Sequence, residues 1–212
     1  MDTYIGTLIG GLIGFLSSLG VQIAMRALDR KGKLSFYSRI NSSFFPDWGF
    51  FSADGKITFV VPLELECQNT SNVTRVVRDV SLSLWRDGIE VKRMRQTQGI
   101  YKEHKHNGKI KSRDSFVLGD VNGSYSLVVP PRSIKKMNCF FTCEQEQNIQ
   151  DITFDEIRIS CYDERDYLYR SQLMEFDGNW KERSIPLKDT WAKVNFQRIW
   201  QRRFSIRLLN SI

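Results

Sequence analysis

Ile57-Thr58-Phe59-Val60-Val61-Pro62-Leu63-Glu64-Leu65-Glu66-Cys67-Gln68 is the stretch that decides the fold. Ile57, Phe59, Val61, Leu63, Leu65 and Cys67 occupy one parity, and Thr58, Val60, Pro62, Glu64, Glu66 and Gln68 the other. Side chains of a strand point alternately to its two faces, so this pattern predicts a strand with one face in a core. Pro62 lacks an N–H and is expected at an edge or a bulge.

The same period continues on both sides. Residues 34–40 precede it as a short strand, and the polar cluster at 69–74 follows it as a turn. Val80, Leu82 and Leu84 then alternate with Ser81, Ser83 and Trp85. Arg86-Asp87-Gly88 predicts a hairpin turn into 89–94, because Asp-Gly accepts positive φ. Further strands are expected over 115–118, 125–129, 134–143, 156–162 and 167–176, the last two joined by Asp163-Glu164-Arg165-Asp166 as a tight hairpin. About nine strands without helices between them imply an antiparallel sandwich or small barrel; an immunoglobulin-like sandwich over 34–190 is the first expectation. The Cys…Trp…Cys spacing of antibody-type domains is absent, so the likeness is one of architecture.

Strand phase places all four cysteines. Cys67 shares parity with Leu65, Cys161 with Ile157 and Ile159, and Cys139 and Cys143 with Met137 and Phe141. They are therefore expected to point inward as small hydrophobes, not as metal ligands. His104-Lys105-His106 sets two imidazoles among cations, a poor metal site.

Residues 5–24 hold 20 positions without a charge, about the length of a helix crossing a 30 Å hydrocarbon core. Ten are Leu, Ile, Phe or Val, which amounts to about −3 to −6 kcal/mol of insertion free energy. The mainly β chain is thus expected to begin with a single transmembrane helix over 1–25 and a basic juxtamembrane linker over 26–33. A cleaved signal peptide is the competing reading: Ser18-Leu19-Gly20 suits cleavage, but Met1-Asp2-Thr3-Tyr4 lacks the basic start. Asp2 on one flank, against Arg26, Arg30, Lys31 and Lys33 on the other, predicts the large domain on the cytoplasmic face of the cell membrane. Sequon-like triplets at Asn41, Asn69, Asn72 and Asn122 would matter only in a glycosylating secretory pathway. Gly6, Gly10, Gly14 and Ser18 recur every four residues, a small-residue stripe suited to association with a second copy or another membrane protein.

The net charge of +7 points to anionic partners. It concentrates in Lys92, Arg93, Arg95, Lys102, Lys105, Lys109, Lys111 and Arg113, eight cations with Glu103 as the single acid between them. That stretch is expected as a loop or loose hairpin that binds an anionic headgroup or ligand; the competing reading is a solvated charged excursion. An acidic run (Glu144, Glu146, Asp151, Asp155, Glu156) is its counterpart. The aromatic connection over 43–51 is expected to fold back as a lid on the sandwich, with insertion at the membrane interface as the alternative.

In the C-terminal segment, 191–212, Phe196, Trp200, Phe204 and Leu208 are spaced by four. A basic amphipathic helix is expected there, with Arg198, Trp200, Arg202 and Arg203 at the membrane surface. The competing readings are a strand over 203–209 and a packing role against the sandwich. No Walker loop, GxGxxG, GxSxG, HExxH or CxxC is present, so neither an enzyme nor a cofactor is expected, and no metal site.

The plan resembles that of small bacterial membrane proteins, without a motif that singles out a family. The expected function is a single-pass, membrane-anchored binding or assembly module that self-associates through its glycine-striped helix. The alternative is a ligand-sensing effector whose helices oligomerise and perturb the bilayer. The lipid bilayer is the first partner in either case, and nucleic acid is not expected.

Overall fold

The computed structural model describes residues 2–29, 31–40, 49–53, 56–106, 109–119, 124–145, 154–175 and 190–199. They form one helix and fourteen strands, and strand makes up 59% of the fold. Helix α1 (Asp2–Asp29) is apolar around its circumference. Ile5, Ile9, Leu12, Ile13, Phe15, Leu16 and Val21 are each 54–66% exposed, so the β fold does not cover them. Each such side chain left in water forgoes about 1.5–3 kcal/mol of burial free energy. The helix is long and apolar enough to cross a membrane.

The first sheet contains β1 (Leu34–Ile40), β2 (Gly49–Ala53), β3 (Lys56–Asn69), β6 (Arg95–Gln96), β10 (Ser133–Gln145) and β13 (Ala192–Val194). Its order is β13-β1-β3-β10-β6, with β2 also pairing β3. The second contains β4 (Arg75–Arg86), β5 (Ile89–Arg93), β9 (Leu127–Val129), β11 (Glu156–Asp163), β12 (Leu168–Glu175) and β14 (Gln197–Ile199). Its order is β14-β12-β11-β4-β5, with β9 also on β4. Every pairing is antiparallel. The chain passes from the second sheet to the first at Met94, between β5 and β6, and back again at Asn195-Phe196, between β13 and β14.

The inward parities of both sheets meet in one core. Val61, Leu65 and Cys67 of β3, Val80 and Leu82 of β4, Phe141 of β10, and Ile157 and Ile159 of β11 are wholly buried there. This is the parity expected from the sequence. All four cysteines are buried free thiols. Burial pushes each thiol up, Cys161 to about 12. The hairpin at Asp87-Gly88 forms with φ of 50° and 76°, the twist-matched geometry that Asp-Gly favours.

Pro62 departs from expectation, since β3 is central. β1 pairs with β3 as far as Leu63, while β2 takes over from Val60. Opposite Pro62, Phe140 of β10 turns its N–H and C=O away from β3, toward Tyr125 and Thr97. Pro62 is thus a non-hydrogen-bonded partner of Phe140, and its nitrogen points into the gap between β1 and β2. A strand can hold proline inside a sheet where no ladder bond is required.

The C-terminal expectation is corrected in part. Residues 192–199 form β13 and β14 instead of an amphipathic helix. Val194 is buried, and the Phe196 ring meets Phe36 edge-on at 4.7 Å. Docking on the edges of β1 and β12 outweighs the four-residue spacing. Trp200, Arg202 and Arg203 lie outside the described residues.

Tyr125, just before β9, ties its hydroxyl to peptide groups at Thr97 and in β10. Its hydroxyl donates to Thr97 O at 2.6 Å and Phe140 O at 3.0 Å, sharing one proton, and accepts from Phe140 N at 2.8 Å. Burial holds the phenol well above its usual range, so it stays a donor. Tyr125→Phe should cost about 1–3 kcal/mol, because buried peptide groups lose their partner. A urea titration of the purified chain in detergent checks this; an unchanged midpoint contradicts the role.

Candidate functional site

The turn between β3 and β4 is built around Asn69, which is 2% exposed. Its Nδ2 donates to Val73 O, Val129 O and Pro130 O at 2.8–3.1 Å. Its Oδ1 accepts from Ser71 N at 3.0 Å and Ser71 Oγ at 2.7 Å. Arg132 N donates to Ser71 O, and Arg132 Nε donates to Asn72 Oδ1 at 2.7 Å. One side chain thereby holds the β3–β4 crossover and the β9–β10 turn together. Asn69 and Asn72, two of the sequon-like positions, are both occupied internally.

The same turn grips the end of α1. Asn72 N donates to Asp29 O at 3.0 Å, supplying a partner to a terminal helix carbonyl. Lys33 N donates to Thr70 Oγ1 at 2.9 Å, and Thr70 N donates to Lys33 O at 3.1 Å. Gly32 lies between, at φ +125°. A Cβ there would sit 2.7 Å from Ser71 N and from Thr70 O, so only glycine permits this approach.

Beside this clamp, the two sheets part around a cleft of about 410 Å³. The start of β1, the start of β4, the β11–β12 hairpin and the β13–β14 bend form its walls. Phe36, Val77, Cys161, Tyr169 and Phe196 make it apolar, and Lys33, Arg75, Lys193, Asp163 and Glu164 bring charge. Arg75 Nη1 pairs with Glu164 Oε1 at 2.9 Å, while the buried Arg75 Nε has no hydrogen-bond partner among the described residues. Asp163 Oδ1 accepts from Arg165 N and Tyr167 N, each at 2.9 Å, and Oδ2 accepts from Tyr169 Oη at 3.3 Å. Burial, and then Asp163, push the Tyr169 phenol up.

The outer faces of the sheets carry tryptophan–cation ladders. Trp85 lies under Arg158 at 4.0 Å and Arg170 at 4.5 Å. Arg158 also holds Glu156 through two bonds of 2.8 and 2.6 Å. On the first sheet Trp191 meets Arg39 at 4.9 Å and Lys136 at 5.0 Å, and Arg39 pairs with Glu64 at 2.6 Å. The guanidinium groups of Arg158 and Arg170 explain why outward-facing Trp85 is only 7% exposed.

Of the two forms expected for the basic stretch, loop or loose hairpin, its larger part takes the hairpin. Lys92 and Arg93 belong to β5 and Arg95 to β6. The rest forms a two-stranded ribbon of β7 (Gly99–His106) and β8 (Lys109–Val117), longer than the strand expected at 115–118. Lys92 Nζ donates to Glu144 O at 2.9 Å, and Arg93 pairs with Asp79 at 2.7 Å. Arg95 and Lys111 are exposed. Lys102, Lys105, Lys109 and Arg113 have described backbones only. In the acidic run, Glu156 is buried beneath Arg158, Asp155 accepts from Asp87 N, and Glu146 and Asp151 lie outside the described residues. Of the aromatic connection, Phe50 packs on Phe59 at 4.9 Å, and residues 43–48 lie outside the described residues.

Arg198 of the expected membrane-surface group sits over the Tyr167 ring at 3.4 Å. Gly6, Gly10 and Gly14 face open space: a Cβ at each would meet nothing within 4 Å. Sequence reasoning gave Lys33, Cys161, Asp163, Glu164 and Phe196 separate roles and did not join them, since the cleft comes from four separated segments. The only local hint was the turn cluster immediately before Arg75. Among the described residues no group of three or more His, Cys, Asp or Glu side chains is arranged to hold a metal. No protein-family model, curated protein or solved structure matches the chain.

Asn69→Ala should lower the unfolding free energy by at least about 1–3 kcal/mol, since it strands several buried partners. It should also speed hydrogen exchange at Ser71. Thermal unfolding and exchange in detergent check both; protection unchanged at Ser71 contradicts the clamp.

Proposed function

We propose that the chain is a single-pass membrane-anchored binding and assembly module. Helix α1 lies in the bilayer, and the β portion, an immunoglobulin-like sandwich, stands on the cytoplasmic face. The observation that carries this reading is an uncovered apolar helix hydrogen-bonded at its end to the β fold, through Asn72 and Asp29. Arg26 in the last helical turn, with Lys31 and Lys33 just beyond, supports the orientation. Two antiparallel sheets around one core support the sandwich. Association runs through Gly6, Gly10, Gly14 and Ser18, toward a second copy or another membrane protein. The exposed cations of the β5–β8 region face anionic headgroups. The cleft's two carboxylates are already engaged, which favours binding over acid–base catalysis.

A reporter fused after Ile212 is expected to signal from the cytoplasm. Gly10→Leu with Gly14→Leu should abolish self-association in a membrane two-hybrid assay. An extracytoplasmic signal overturns the orientation, and undiminished association overturns the stripe.

A ligand-sensing effector is the second reading. It is favoured by the position of the cleft, because Lys33 belongs both to its wall and to the helix clamp. Occupancy could then be transmitted to α1. On this reading, overproducing cells depolarise in a voltage-sensitive dye assay, whereas an inert anchor leaves the potential unchanged.

A further inference from the structure

The end of α1 and three turns meet at one end of the β fold. β3 and β9 run toward that end and β4 and β10 leave from it, so the β3–β4 and β9–β10 turns lie together beside Asp29. The β11–β12 hairpin joins them, since Asp163 pairs with Val77 and Glu164 with Arg75. None of the apolar window of α1 is buried, so the helix leaves this end instead of folding along a flank. A span over residues 5–24 puts Asp29 five residues, about 7.5 Å, beyond the hydrocarbon. A headgroup layer is about 5–8 Å thick on each side. Asn72, bonded to Asp29 O, therefore stands at the outer margin of that layer when α1 spans the bilayer. Arg132 is held at the same level. It follows Pro131 at φ +49°, a left-handed conformation that favours glycine or asparagine. Its Nε donates to Asn72 Oδ1 at 2.7 Å, which fixes the guanidinium beside the residue that holds the helix. Arg132 is exposed, and its two Nη groups have no partner among the described residues.

We propose that this end of the β fold is seated on the leaflet from which α1 emerges, with the Arg132 guanidinium on anionic phospholipid headgroups. The Nη edge of a guanidinium offers two parallel N–H donors to phosphate oxygens. Arg26 in the last helical turn and the exposed Lys31 border the same spot, and each cation near an anionic surface adds to the attraction. Lipid is the partner because α1 itself brings headgroups to this end. The contact deepens the membrane-anchored reading, rests on it, and is separate from the one proposed for the β5–β8 cations. Arg132 is remote from α1 in sequence, so it reaches headgroups only if the clamp seats the fold.

The test uses the full chain in phosphatidylcholine nanodiscs. A bimane fluorophore is placed by Thr74→Cys, Pro131→Cys or Glu175→Cys in separate chains; the four native thiols are buried and do not compete. The quenchers are phosphatidylcholine and phosphatidylglycerol, each with a nitroxide on its headgroup. Fluorophores at 74 and 131 should be strongly quenched. The one at 175, seven residues or about 23 Å along β12 from Leu168, should not. Quenching at 74 should favour phosphatidylglycerol, and Arg132→Gly should cut that preference about fivefold, the worth of one cation at an anionic surface. Glycine suits the left-handed position, and thermal unfolding checks that the turn persists. Arg132→Lys, which keeps the charge without the Nε bond, should retain most of the preference. Quenching at 175 equal to that at 74 and 131 overturns the seating. A preference unchanged by Arg132→Gly, or lost as fully in Arg132→Lys, overturns the headgroup contact. A chain that does not stay with the discs overturns the anchor reading itself, and this proposal with it.

Discussion

A single buried amide holds the architecture together. Asn69 ends β3 on the inward parity, where the core would otherwise place another apolar side chain, and it reaches backbone groups of two segments, the β3–β4 turn and the β9–β10 turn. In a low-dielectric setting a satisfied polar group fixes one geometry, because every alternative leaves donors or acceptors bare. The crossover between the sheets, the turn into β10 and the helix end are therefore set jointly. The cleft inherits its shape from that arrangement, since Lys33 and Arg75 flank the turn directly.

Much of the positive charge is structural. Arg158 and Arg170 cover Trp85, Arg39 and Lys136 flank Trp191, and Arg75 and Arg93 pair with Glu164 and Asp79. Guanidinium groups shield broad aromatic faces from water while staying partly solvated themselves. The count of 31 Lys and Arg thus overstates the cation available to a partner. Among the described residues, Arg26, Lys31 and Lys33 at the helix end, with Arg95 and Lys111, stay exposed.

The strands were legible wherever one face is buried and the other is wet. The alternation in β3, β10 and β11 follows directly from that asymmetry, and so does the inward direction of all four thiols. Legibility failed where tertiary pairing overrode local pattern. Phe196 and Trp200 suggested a helical face, yet the free flank of β1 captured residues 192–194. Pro62 argued for an edge, but a gap between two neighbouring strands accommodates it. The cleft was illegible for a different reason: residues near 33, 75, 163 and 193 become neighbours only once both sheets are assembled.

The passage of the chain between sheets at Met94 and at Asn195-Phe196 has a consequence for crowding in the cell. Both flanks of the assembly end in strands of only two to five residues, β6 and β5 on one side and β13 and β14 on the other. Such stubs offer few open amides for another polypeptide to zip onto. These flanks thereby disfavour intermolecular β-augmentation, which leaves the β7–β8 ribbon, with strands of 8 and 9 residues, as the longer open edge among the described residues.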